Sequence, residues 1–202
     1  MSPDLSKESA SVESMAKGTL KDENTLSELL EALKSKDETK RYSSFQVLLR
    51  LSEEQPDFLY PRWDFLSDML DSDNAYWKLI AVRIIANLTR ADTENKFEKI
   101  FNKYYNLLND SVIVAGHITA NSGKIARAKP KLEVEITNKL LNIDKTSQEH
   151  RDLIKAGAIE SCGEYFEESK DKQKIIEFVK HQLNCESPKT RKKAKEFLKK
   201  WG

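Results

Sequence analysis

The chain has 202 residues, 39% hydrophobic and 33% charged, with a formal net charge of +1, so it is long enough for one continuous core and has no overall bias toward polyanions. Only six Gly and five Pro interrupt it, and strand-type alternation is nearly absent, which excludes a strand-and-turn protein and predicts an all-α fold. No apolar run reaches the roughly 18 residues of a membrane span, residues 1–20 contain no signal-type apolar stretch, and Cys162 and Cys185 lack CxxC spacing; the expectation is a cytoplasmic protein with free thiols.

Residues 1–23 are polar, with Leu5, Val12, Met15 and Leu20 as sparse apolar points. Ser2-Pro3 is a candidate helix start and Gly18 a candidate end, but there is too little apolar area for an isolated helix, so this segment is a short helix or disordered. The first helix pair (about 24–55) opens at Asn24-Thr25, with Thr25 and Glu28 at capping-box spacing and Leu26, Leu29, Leu30 and Leu33 as its stripe. Its second helix turns Ser44, Phe45, Val47, Leu48 and Leu51 inward. Pair two (57–92) starts near Pro61 with Trp63, Leu66, Met69 and Leu70. An acidic turn, Asp71-Ser-Asp-Asn, then leads into Ala75–Leu88, where Ala81, Val82, Ile84, Ile85 and Leu88 form one face at helical period. Pair three (93–129) carries Phe97, Ile100, Phe101, Tyr104, Leu107 and Leu108, then a second helix stopped by Pro130. Pair four (130–169) has a first helix near 130–142 and a second at roughly 147–168. Pair five (170–202) ends in a helix over 188–201, capped by Ser187 and begun by Pro188.

A common register underlies the five pairs. The position after each inner turn falls at Arg41, Lys78, Ala115, Arg151 and Arg191, a period of 36 to 40 residues with two helices per unit. The pattern of an acidic turn followed by apolar-basic-x-x-small-small-x-apolar-apolar is clearest in Trp77-Lys78-Leu-Ile-Ala81-Val82-Arg-Ile84-Ile85. A second copy is Thr190-Arg191-Lys-Lys-Ala194-Lys195-Glu-Phe197-Leu198. This pattern resembles the second helix of a HEAT repeat, and the resemblance covers residues 24–202. It implies an α-α superhelix of about five HEAT-like pairs in a single repeat domain, whose second helices line a concave side. Pair three departs from the pattern at Ala115 and Asn121, and pair four at Lys155. The resemblance indicates fold more than function, because such arrays serve many roles.

In that register the solvent-side positions of the second helices include Gln46, Arg50, Arg83, Asn87, His117, Lys124, Arg127, Glu160, Lys193 and Lys200. Arg50, Arg83, Asn87, His117, Asn121, Lys124 and Arg127 are the candidate binding residues, a basic and amide-bearing set suited to an acidic peptide or a phosphate backbone. Gly116, Thr119, Ala120, Asn121, Ser122 and Gly123 put small and polar residues inside a helix, which predicts tight helix packing with Asn121 bonded across the unit boundary. Charge is uneven along the chain. Residues 187–202 carry seven basic side chains against Glu196 alone, whereas residues 1–60 carry eight basic and twelve acidic ones.

The chain contains no glycine-rich phosphate loop, nucleophile elbow or HExxH, and His181 with Cys185 has no second ligand pair to complete a metal site. No cofactor, metal or catalytic residue is expected. The function these features predict is a non-enzymatic scaffold or adaptor binding a protein or peptide, with no membrane partner. The alternative is nucleic-acid binding through the basic groove and last helix. A third reading, resemblance to HEAT-like DNA glycosylases or bilin lyases, requires an aromatic and a carboxylate converging in the groove.

Overall fold

The computed structural model describes residues 5–202, with side chains from Ala10 onward, so a Ser2-Pro3 helix start lies outside the described residues. It is all-helical, with no strand among the described residues, and none of those helices is long and apolar enough to cross a membrane. The helices are α1 Leu5–Thr19, α2 Glu23–Ala32, α3 Glu38–Glu54, α4 Pro56–Leu59, α5 Trp63–Asp68, α6 Ala75–Leu88, α7 Lys96–Asn106, α8 Val112–Ala128, α9 Glu133–Leu141, α10 Arg151–Tyr165, α11 Lys172–His181 and α12 Pro188–Trp201. Short 3-10 turns extend several of them, as at Met69–Asp71 and Leu107–Asn109. The chain divides into two compact units, Met1–Asp64 and Phe65–Gly202.

In the first unit α3 is the central helix. It packs against α1, α2 and α4, and buries Phe45, Val47, Leu48 and Leu51. The predicted stripe of α2 is buried as well, at Leu26, Leu29, Leu30 and Leu33. The helix starts earlier than its capping-box spacing suggests. Asp22 is the N-cap, accepting from Asn24 N (2.9 Å), and Thr25 donates its hydroxyl to the same carboxylate (2.8 Å). The helix expected to start near Pro61 is preceded by the short α4 and begins as a 3-10 turn at Tyr60–Arg62 that leads into α5, because prolines at 56 and 61 each open a new turn and cannot continue an old one.

In the second unit the long second helices lie side by side: α8 packs between α6 and α10, and α12 packs on α10. α9 contacts α8, α10 and α11 from the other side. α6 buries nearly every residue from Ile80 to Leu88, and its apolar character extends most of the way round, as a helix enclosed on several sides requires. Below it, Phe97, Phe101, Tyr104 and Tyr105 of α7 form an aromatic cluster, with successive ring centroids 4.7–6.2 Å apart. Its buried hydroxyls are satisfied: Tyr104 donates to Val82 O (3.1 Å) and Tyr105 to Ser122 Oγ (3.1 Å).

The basic residue of the register has a structural task. Arg41 donates to Ser35 O (2.9 Å), Arg151 to Asp144 O and Thr146 O (both 3.2 Å), and Arg191 to Cys185 O (2.7 Å) and Glu186 O (2.8 Å). Each guanidinium satisfies carbonyls of the turn before its own helix, groups that otherwise lack partners. Pair three has Ala115 here, and its turn is held by its neighbours instead. Lys78 binds Asp110 Oδ2 (2.6 Å) from one side and Gln148 Nε2 donates to Asp110 O (2.6 Å) from the other. Lys155, the departure in pair four, is a buried ammonium held between Asp144 (2.7 Å) and Asp152 (2.9 Å).

The opposite ends of the pairs are tied by buried polar groups. The Asp92 carboxylate accepts from the backbone of Lys96 (2.8 Å) and Phe97 (2.9 Å), capping α7. Lys129, just past the end of α8, reaches it at 2.8 Å and also donates to Asp92 O (2.7 Å). Asn95 takes a left-handed backbone (φ 53°), which Asn tolerates better than most residues, and directs its side chain to the same ammonium. One unit further on, Glu133 accepts from Ser169 Oγ (2.6 Å) and Thr137 Oγ1 (3.1 Å), and Thr137 in turn meets Tyr165 OH (2.8 Å).

Lys129→Met would remove the ammonium facing a fully buried carboxylate, and a loss of about 3–5 kcal/mol is expected. Urea unfolding at neutral pH measures it. A change below about 1 kcal/mol, the range of an exposed pair, would show that this cluster does not hold the two turns together.

Candidate functional site

Six of the seven candidate residues lie on α6 and α8, with Asn87 and Asn121 buried. Arg50 lies in the first unit, on α3, where it pairs with Glu54 (2.5 Å). Asn87 is buried, and its carbonyl accepts from Lys124 Nζ (3.1 Å), joining the two helices. His117 is half-buried; burial, with the Arg83 charge adding to it, holds its imidazole below the usual histidine range. Asn121 donates to His117 O (2.7 Å) in its own helix and does not cross to a neighbour. Its short amide reaches a carbonyl four residues back more readily than another helix. Arg127 is exposed and pairs with Glu164 of α10 (2.8 Å).

Glu164 is the important addition. It stands one turn beyond Glu160 on α10, so the i,i+4 spacing of the two carboxylates is the signal that points to it. Burial raises its pKa, against the pull of Arg127 and Lys124. Glu160 binds Lys193 of α12 (2.8 Å), which also reaches Glu196 (3.1 Å). The face is therefore not the unbroken basic ladder that the cations alone suggest. Its charge alternates by helix, basic on α6 and α8, acidic on α10 and basic again on α12, and two of its cations, Arg127 and Lys193, are paired with the carboxylates of α10.

Small residues set the depth of this face. A Cβ at Gly157 would lie 2.7 Å from Thr119 Oγ1 and 3.0 Å from Ala120 N, and one at Gly123 would lie 2.7 Å from Glu164 Cδ and 2.9 Å from Ser161 O. The backbones of α8 and α10 thus meet closely at both ends of one contact. Ser161 joins them, accepting from Gly123 N (2.9 Å) and donating to Thr119 O (2.6 Å). The tight packing expected of pair three is present, made by Ser161 and the glycines and not by Asn121. Beside it, between α8, α10 and α12, lies a groove of about 480 Å³. Ala120, Gly163 and Phe197 line it with Glu160, Glu164 and Trp201.

An aromatic and carboxylates do share this groove, as a glycosylase or lyase reading requires. The Trp201 ring is half-buried, however. It lies 5.1 Å from Phe166 and 4.7 Å from Phe197 between centroids, close against Gly163, with Lys200 Nζ 4.0 Å from its centre. Its Nε1 donates to Glu167 (2.7 Å). Part of the ring is thus already covered by neighbouring side chains. The two cysteines are free and buried, and burial pushes the Cys162 thiol up to about 12, far from a reactive thiolate. Among the described residues no group of three or more His, Cys, Asp or Glu is placed to hold a metal ion. No protein-family model, curated protein or solved structure matches the chain.

Two measurements check this geometry. Gly157→Ala is expected to destabilise by about 1–3 kcal/mol, because the backbone at Ala120 must move. Gly116→Ala, whose Cβ would meet only Ile154 Cγ2 at 3.8 Å, should stabilise by up to about 1 kcal/mol. Equal effects in chemical denaturation would contradict the close α8–α10 approach. For His117 the folded pKa lies below the ordinary 6.5, so the unfolded chain binds the proton first. Its stability contribution is complete above about pH 6.5 and is lost as pH falls through the folded value. His117→Gln should flatten that part of the stability profile; an unchanged slope would refute the assignment.

Proposed function

We propose that the helix pairs are HEAT-like units and that the chain is a cytoplasmic, non-enzymatic scaffold binding a protein or peptide on its second helices. Two features support the repeat reading. The basic register position performs the same carbonyl-capping task at Arg41, Arg151 and Arg191. In the second unit, side-chain bonds between matching parts of successive pairs span similar distances in sequence, 32 residues for Lys78–Asp110, 37 for Lys124–Asn87 and 38 for Thr190–Asp152. Such nearest-neighbour bonding is what a stacked array produces.

The observation that carries the binding reading is the groove between α8, α10 and α12. It combines a small-residue floor at Ala120 and Gly163, a partly apolar wall at Phe197, and flanking groups of both signs at Glu160, Glu164 and Lys193. A peptide segment with one apolar anchor and neighbouring charges of both signs fits that lining. A continuous polyanion fits it poorly, because the carboxylates of α10 line the groove and bind two cations of the face, Arg127 and Lys193.

Selection of displayed peptides against the purified chain tests the reading. Enriched peptides are expected to lose at least about tenfold in affinity, about 1.4 kcal/mol, on Ala120→Arg, which fills the exposed floor. Lys174→Glu on α11 should leave them unaffected. Peptides indifferent to Ala120→Arg would remove this groove as the binding site.

A further inference from the structure

The outer side of α12 differs from the groove in its charge. The helix packs inward through Thr190, Ala194 and Phe197, and on the other side Lys189, Lys192, Lys195 and Lys199 are all exposed. These four fall on one side of the helix at spacings of three and four residues, over about 15 Å at 1.5 Å per residue. Glu196 is the one carboxylate on α12; it lies 4.0 Å from Lys192 and closer to Lys193 at the groove edge (3.1 Å). Among the described residues Lys189, Lys195 and Lys199 have no carboxylate within ion-pair distance. Elsewhere in the unit Lys78, Lys103, Arg127, Lys129, Lys155 and Lys193 form ion pairs.

We propose that this lysine face docks the phosphate backbone of a nucleic-acid duplex, at a surface separate from the peptide groove. Three observations select that partner among anionic ones. First, exposed lysines gain little from individual carboxylates, but a polymer with condensed counterions releases them on binding, so a row of four exposed ammonium groups, three of them without a carboxylate partner, gains most against such a polymer. Second, no large apolar side chain is exposed on α11 or α12; among the described residues the exposed ones are Met15, Leu20, Tyr42, Ile113 and Leu153. A helix seated in a membrane surface needs an apolar face to insert. Third, the groups that would read particular acids or single-stranded bases are already engaged. Arg191, the arginine of α12, is bound to the carbonyls of Cys185 and Glu186, and the half-buried Trp201 ring packs against Phe166, Phe197 and Lys200. What remains is a row of ammonium groups that senses charge density without sequence, as a duplex backbone presents it.

Fluorescence anisotropy with a labelled 20-base-pair DNA duplex and its RNA counterpart tests the proposal on the full chain. Both duplexes should bind at about 50 mM salt, with affinity falling in salt along a log–log slope of roughly −3 to −4, the value for about four phosphates. Replacing Lys189, Lys192, Lys195 and Lys199 together by Gln should weaken binding at least about tenfold and nearly abolish the slope. The four side chains are exposed, so the variant's circular dichroism and urea midpoint should match those of the parent. Ala120→Arg, which blocks the groove, should leave duplex binding intact. No binding at about 50 mM salt, or binding that the fourfold variant retains, would overturn the proposal. It would equally fall if polyglutamate or vesicles rich in phosphatidylserine bound as tightly as the duplex, or if the same lysines drove salt-sensitive self-association.

Discussion

The second unit depends on how closely α8 and α10 can approach. Two glycines, Gly123 and Gly157, sit where the other helix leaves no room for a Cβ, and Ser161 adds a polar link at the same contact. Glycine in a helix costs about 1 kcal/mol relative to alanine, so its presence at these positions reflects a gain in packing and bonding between the helices. The short separation has a further consequence on the exposed side. Ala120 and Gly163 become the floor of a groove, while longer side chains from α10 and α12 rise around it. A groove between two widely spaced helices would need large side chains to fill it from beneath.

Charge is handled differently in three places. At the turns, Lys129 and Lys155 are almost completely buried and held by more than one oxygen, which such groups require if they are not to destabilise the fold. On the second-helix face Arg127 and Lys193 are paired across helices but remain partly exposed, so they contribute little to stability. On the outer side of α12 the lysines are exposed, and of the four Lys192 alone lies near a carboxylate, Glu196. The same residue type thus acts as a structural tie, as a groove wall and as a free surface charge. The distinction is one of surroundings, and it is what separates the groove from the lysine face.

The buried nucleophiles fit a structural account. Cys162 touches Tyr165 OH at 3.6 Å, Tyr165 meets Thr137, and Thr137 donates to Glu133, which also accepts from Ser169 of the following turn. Burial raises both the thiol and the phenol, so each remains neutral and serves as a hydrogen-bonding group. The chain of bonds ties α9 to α10 and to the next pair. It belongs with the Asp92–Lys129 cluster as a means of fixing successive turns.

Much of the helix content and the inward faces follow from the sequence alone. Apolar side chains at helical period mark the buried sides of α2, α3, α6 and α7, and Ser187-Pro188 marks the start of α12, because these signals act within a few residues. The two departures from the repeat pattern were visible too, but not their remedies: Ala115 is compensated by Lys78 and Gln148, and Lys155 by Asp144 and Asp152, partners brought together only by folding. The sequence likewise showed a run of cations on the second helices but not their neutralisation, since an ion pair such as Arg127–Glu164 spans 37 residues and depends on the helices lying side by side. Local pattern therefore determined which segments are helical and which faces turn inward. Tertiary packing decided which charges are left unpaired, because that depends on distances across helices, which periodicity within one helix does not specify.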